Sequence, residues 1–135
     1  MIAPNNQQSD EQDWPVIFSY TRKQAIEDGV LVDVTEWAKE TGFVAPVACT
    51  RTVWDQWITP PEGTEDLGQS ERGRAHDMLW MAYLAIRGAQ GGQQVQFDVL
   101  FLDGNQKQQQ VTLKLVAGPG DQGELVITIM LPDED

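Results

Sequence analysis

The chain has 135 residues, a length that suits one domain and buries enough apolar surface to fold without a disulfide or metal staple. Its 21 acidic and 9 basic side chains give a net charge of −12, which disfavours direct contact with nucleic-acid phosphates. A single cysteine, Cys49, and a single histidine, His76, exclude an intramolecular disulfide and a zinc site of the usual cysteine–histidine kind.

Residues 1–13 are polar and acidic and lack aromatics, the composition of a disordered tail. Met1–Gln8 contains no basic region and no apolar run, so no signal peptide is expected. Trp14–Ser19 reads as a short apolar extended segment, confined to a sheet edge by Pro15. Thr21 is placed to cap a short helix over Arg22–Asp28 that Gly29 ends. Val30–Val34 reads as a buried extended run. Asp33 or Thr35 caps a second helix, Glu36–Thr41, closed by Gly42. Phe43–Cys49 is apolar but contains Pro46, and reads as a loop or a short strand. Thr50 is placed to cap a third helix, Arg51–Ile58, which stops at Thr59-Pro60-Pro61. Residues 62–68 form a loop.

The most regular segment runs from about Gln69 to Arg87. Ala75, Met78, Leu79, Ala82, Tyr83 and Ile86 recur at the spacing of one helix face. Trp80, Met81 and Leu84 make the remaining surface apolar too, which predicts burial on more than one side, as a central helix or at a subunit contact. Beyond Gly88 and Gly91-Gly92 the period changes to two. Val95, Phe97, Val99 and Phe101 alternate with Gln96, Asp98 and Leu100. Asp103-Gly104-Asn105 is a hairpin turn, Val111–Val116 a second strand, Gly118–Gly123 a second turn and Leu125–Leu131 a third strand. The longest unbroken apolar run, Met78–Ile86, is too short to span a bilayer. The expected fold is α+β, with several helices in the N-terminal half packed on a C-terminal three-stranded antiparallel meander. The domain layout is an acidic tail 1–13, one domain 14–132 and an acidic tail 133–135.

Chemistry is sparsely signalled. There is no phosphate-binding glycine loop, dinucleotide fingerprint, serine elbow or calcium loop. Cys49 sits in the apolar run Pro46-Val47-Ala48, where an inert buried cysteine is the default. His76 lies four residues before Trp80, within reach of its ring on a helix. A catalytic role would need a pocket around it and carboxylates nearby. Adjacent acids such as Glu27-Asp28 and Glu65-Asp66 read as solvated charge rather than as an acid–base pair. Arg72, Arg74 and Arg87 are expected to pair with Glu71 or Asp77. Of five tryptophans, most belong to the core, and one or two exposed beside acids would mark an interface anchor. No cofactor and no metal are expected.

The charge is uneven. Residues 27–77 hold 11 acids and 4 bases, so the folded body's negative charge concentrates in its helical half. Glu27, Asp28, Asp33, Glu36, Glu40, Glu65 and Asp66 form a candidate interaction surface. The bland alternative is that acidity serves solubility.

The segments Phe18-Ser19-Tyr20-Thr21-Arg22 and Gln24–Val34, with its Glu-Asp-Gly-Val-Leu-Val-Asp run, resemble a family of small uncharacterised acidic bacterial proteins carried on plasmids, integrative elements and phages. Gly42-Phe43, Pro46-Val47-Ala48, Val53-Trp54, Arg74 and Asp77-Met78-Leu79 extend the resemblance over about residues 16–132. The resemblance implies a habitat and no activity. Charge and habitat together suggest a cytoplasmic, non-enzymatic protein-binding inhibitor. Its carboxylates would stand in for DNA phosphates against a basic nucleic-acid-binding protein of host defence, an anti-restriction or anti-CRISPR role. The alternatives are an accessory module that binds a protein, or a second copy of itself, through the outer face of the 75–86 helix, and a small enzyme built on His76. None of these involves a membrane.

Overall fold

The structure, a computed structural model, describes residues 20–135. The expected tail 1–13 and the extended segment Trp14–Ser19 lie outside the described residues.

Helix α1 (Arg22–Glu27) starts at Thr21 as expected. The Thr21 hydroxyl accepts from the Gln24 amide, and the Gln24 side chain accepts in return from the Thr21 amide. Asp121, from the far end of the chain, accepts from the amides of Arg22 and Lys23 at 2.8 and 3.0 Å. The Arg22 guanidinium then donates to the Ile127 carbonyl and the Thr128 hydroxyl, each at 2.7 Å, and fastens the helix to the sheet.

Strand β1 (Leu31–Asp33) leads into helix α2 (Thr35–Thr41). Asp33 accepts from the Thr35 amide at 3.0 Å, so it shapes the approach to α2 while Val34 occupies the cap position. At the end of α2, Gly42 has φ +128° and the Tyr83 ring lies 3.0 Å from where a Cβ would stand, so both backbone and space require glycine. Strand β2 (Val47–Thr50) runs straight into α3 (Arg51–Val53), with Thr50 accepting from the Val53 amide as expected. The helix then widens to a π-helical stretch, Trp54–Ile58, closed by a Thr59 amide to Trp54 carbonyl bond of 2.8 Å. A single 3-10 turn, Glu65–Leu67, precedes α4 (Glu71–Gly88), which Ser70 caps through the Gly73 amide. Strands β3 (Gln94–Leu102), β4 (Gln108–Pro119) and β5 (Leu125–Met130) follow. The turn at Asp103-Gly104-Asn105 is where it was expected, with the Asp103 carboxylate accepting from the amides of Asn105 and Lys107.

The expected three-stranded antiparallel meander is corrected. β3, β4 and β5 do pair antiparallel, but β2 joins the other side of β5 in parallel, and β1 pairs antiparallel with β2. The result is a five-stranded mixed sheet of order β1-β2-β5-β4-β3. The reason lies in β5, whose Val126, Ile127, Ile129 and Met130 are buried on both faces, the pattern of an interior strand. Pro46 does not block the neighbour, because it contributes a carbonyl, accepting from the Ile127 amide at 2.9 Å. β1 is an edge strand with Asp33 exposed, so the expected buried run at Val30–Val34 is half solvated.

The register sets Val95, Leu115, Ile129, Cys49 and Val32 in one row across all five strands. This row faces Ala38, Val53, Ala75, Met78, Leu79 and Ala82 in a single core cluster. Full burial of a side chain such as Ile129 contributes about 1.5–3 kcal/mol. The acidic C-terminus is tied to the body. Glu134 accepts from Thr50 and from the Leu131 amide at 2.8 Å, and its carbonyl accepts from Lys114 Nζ at 2.6 Å.

Candidate functional site

Helix α4 is sided. Arg74, Ala75, Met78, Leu79 and Ala82 are buried, whereas Trp80, Met81 and Leu84 are exposed at 44%, 37% and 44%. The expectation of burial on more than one side therefore does not hold among the described residues. Trp80 is nevertheless held in place. Its ring stacks on Tyr83 (centroids 6.0 Å, planes 20° apart), and Tyr83 in turn meets Phe43 edge-on at 5.7 Å.

The exposed side of α4 borders strand β3, the last strand of the sheet. Between them lies a groove of about 450 Å³ walled by Asp77, Trp80 and Met81 from α4 and by Asp98, Val99 and Leu100 from β3. Gln108 and Gln110 of β4 close its outer end. Leu100 is 54% exposed and stands on the outward face of β3 with Gln94, Gln96, Asp98 and Leu102. Asp98 is fixed by donors from Thr112 at 2.6 Å and Gln110 at 2.9 Å. Partial burial raises the pKa of Asp77, opposed by the nearby charges of His76 and Arg74.

A second cleft, about 470 Å³, lies where the first turns of α4 face α2, among Trp37, Glu40, Arg72, Arg74, His76 and Asp77. The arginines depart from expectation. Arg72 pairs with Glu40 at 2.7 Å and lies over the Trp37 ring. Arg74, 2% exposed, donates to the carbonyls of Trp57 and Leu102 and to the Gln69 side chain. Arg87 donates to the Tyr83 hydroxyl. His76 lines the cleft, so a concave site containing it exists, but among the described residues its side chain makes no hydrogen bond. Cys49 lies between Ile129 and Val32 in the row across the sheet, where burial pushes its thiol up to about 12. No hydrogen bond links it to His76.

The acids singled out from the sequence divide into groups. Glu27 is exposed and shares a cleft with Asp33 and Thr35. Asp28 accepts from the Tyr20 hydroxyl at 2.7 Å. Asp33 and Glu36 flank a small slot beside the stacked rings of Trp37 and Trp54. Glu36 pairs with Lys39 at 3.2 Å, and Glu40 with Arg72. Glu65 and Asp66 belong to the separate 3-10 turn, where Asp66 is exposed. Glu36 and Glu40 thus lie on α2 with Asp33 just before it at the end of β1, while Glu65 and Asp66 come from another segment. Sequence reasoning missed the part that β3 plays. The available signal was Leu100, an apolar residue in the polar register of an alternating strand.

Among the described residues no cluster of histidine, cysteine and carboxylate side chains could hold a metal ion, and no helix is long and apolar enough to cross a membrane. The chain belongs to the family of unknown function DUF6573, which matches residues 11–135. No curated protein and no solved structure matches it.

Proposed function

We propose that the protein is a non-enzymatic protein-binding module, acting in the cytoplasm, whose partner docks in the groove between α4 and β3. The observation that carries this is the exposure of Trp80, Met81 and Leu100 around one groove, with the Trp80 ring braced by Tyr83. A rigid aromatic beside flexible apolar side chains is the composition of an interface anchor, and exposed apolar side chains gathered round one groove mark a docking surface. A photo-crosslinking residue at position 81 tests the reading. Partner adducts should form there and not with the same residue at position 23, on exposed α1.

One observation favours a second reading. Asp33 at the end of β1 and Glu36 and Glu40 on α2 line the clefts beside Trp37, so a basic protein could read them as it reads phosphates. On this reading the protein serves a mobile element as a DNA-mimicking inhibitor of a host restriction or CRISPR enzyme. Intramolecular pairing of Glu36 and Glu40 lowers the free charge available for it. Binding of this kind should collapse with salt, whereas groove binding should lose only a few-fold.

A further inference from the structure

The sheet ends in two edges of unequal character. β1 is three residues long, and so short a strand offers little to another. β3 runs nine residues, Gln94–Leu102, and contains no proline, lysine or arginine; Asp98 is its one charged side chain. Among the described residues β3 pairs with β4 alone, so alternate main-chain N–H and C=O groups face outward. The groove follows that edge, with Trp80 and Met81 on the helix side and Asp98 and Leu100 on the outer face. Successive side chains of a strand point to opposite faces. A strand laid along β3 would therefore set alternate side chains against Trp80 and Met81 and the others beside Asp98 and Leu100.

Charge selects the occupant. The groove is lined by two carboxylates, Asp77 and Asp98, and by no basic side chain. A second copy of the chain meets repulsion. Asp98 is the midpoint of Gln94–Leu102, so full-length antiparallel pairing of two β3 strands sets the two Asp98 carboxylates opposite each other on one face. Each of the two bodies also carries a net charge of −12. A cationic side chain at the same place is attracted instead.

Resting on the docking reading above, we infer that the occupant is an extended segment of a partner protein that adds to β3 as a sixth strand. Its apolar residues face Trp80 and Met81, and a lysine or arginine lies beside Asp98. Main-chain bonds and the apolar row supply the affinity, and the basic residue fixes register and orientation.

The probe is a capped nine-residue peptide alternating Val and Lys, with a Val–Glu peptide of equal length as control, titrated into the isotope-labelled full chain and followed by NMR. The Val–Lys peptide should shift the Trp80 indole signal and slow exchange of alternate β3 amides at least about ten-fold, and the Val–Glu peptide should do neither. Asp98→Asn should weaken the Val–Lys peptide by up to about five-fold, the worth of one cross-strand charge pair. A Trp80 shift without β3 protection overturns strand addition while leaving docking in the groove intact. Equal binding of the two peptides overturns the basic requirement. Absence of any Trp80 shift at millimolar peptide overturns the inference, and crosslinking at position 81 then decides separately whether the groove binds at all. A dimer that resists salt and is lost in Leu100→Asp assigns the edge to a second copy and also overturns it.

Discussion

The guanidinium of Arg74 lies over the ring of Phe101, 4.8 Å from its centroid, and joins three separate segments of the chain. It donates to Trp57 at the π-helical stretch, to Gln69 before α4 and to Leu102 at the end of β3, with lengths of 2.6, 2.8 and 3.0 Å. Burial lowers its pKa, opposed by the charge of Asp77. Removing one partner of such a buried network strands the others. Arg74→Ala should therefore cost about 3 kcal/mol or more, read as a lower urea midpoint. Arg74→Lys should recover only part of it, because an ammonium cannot reproduce the planar fork.

Cys49 gives a chemical test of the core. With its thiol pushed up to about 12 by burial, it should resist alkylation in the native protein at pH 8 and react at once in denaturant. Labelling of the native chain at the rate of an exposed thiol would contradict the row Val95-Leu115-Ile129-Cys49-Val32.

Much of this architecture is legible in the sequence, because local rules produce it. Thr21 and Thr50 cap the helices they precede, the Asp103-Gly104-Asn105 turn joins β3 to β4, and period-two alternation marks β3 and β4. What escapes is non-local. The parallel pairing of β2 with β5 joins Val47 to Ile127, and no turn chemistry announces a contact so distant in the chain. β2 is four residues long, too short for alternation to show, and Pro46 reads as a breaker although only its carbonyl is used. The candidate site divides the same way. The apolar outer side of α4 is visible from Trp80, Met81 and Leu84. The other wall of the groove comes from β3, a neighbour that helical periodicity cannot name.

Asp121 couples the second turn of the sheet to α1. The amides of Arg22 and Lys23 hold its carboxyl below the ordinary aspartate range, helped by the Arg22 charge. A depressed carboxylate pKa contributes stability that is present above the unfolded-state value and is lost as pH falls through the folded one. Asp121→Asn should accordingly be less stable than wild type at pH 7. The two melting curves should converge as pH drops below roughly 4. A gap that persists at pH 2 would show that packing, not ionisation, carries the effect.

The ion pair of Glu40 and Arg72 is exposed on both sides, so it should matter little to folding. Glu40→Ala should change stability by less than about 1 kcal/mol in a urea titration. That makes substitutions on α2 clean probes of binding, since any lost interaction is then not lost folding.

The most direct measurement is a comparison of capture from host lysate by three forms of the full chain, at low and high salt. These are wild type, Met81→Asp with Leu100→Asp, and a variant with Asp33, Glu36 and Glu40 changed to their amides, each first checked for an unchanged melting temperature. Docking in the α4–β3 groove predicts a protein that wild type and the amide variant retain at high salt and that the groove variant loses. A protein held equally by the groove variant, but released by salt and by the amide variant, would contradict it and place recognition on the acidic side chains of β1 and α2.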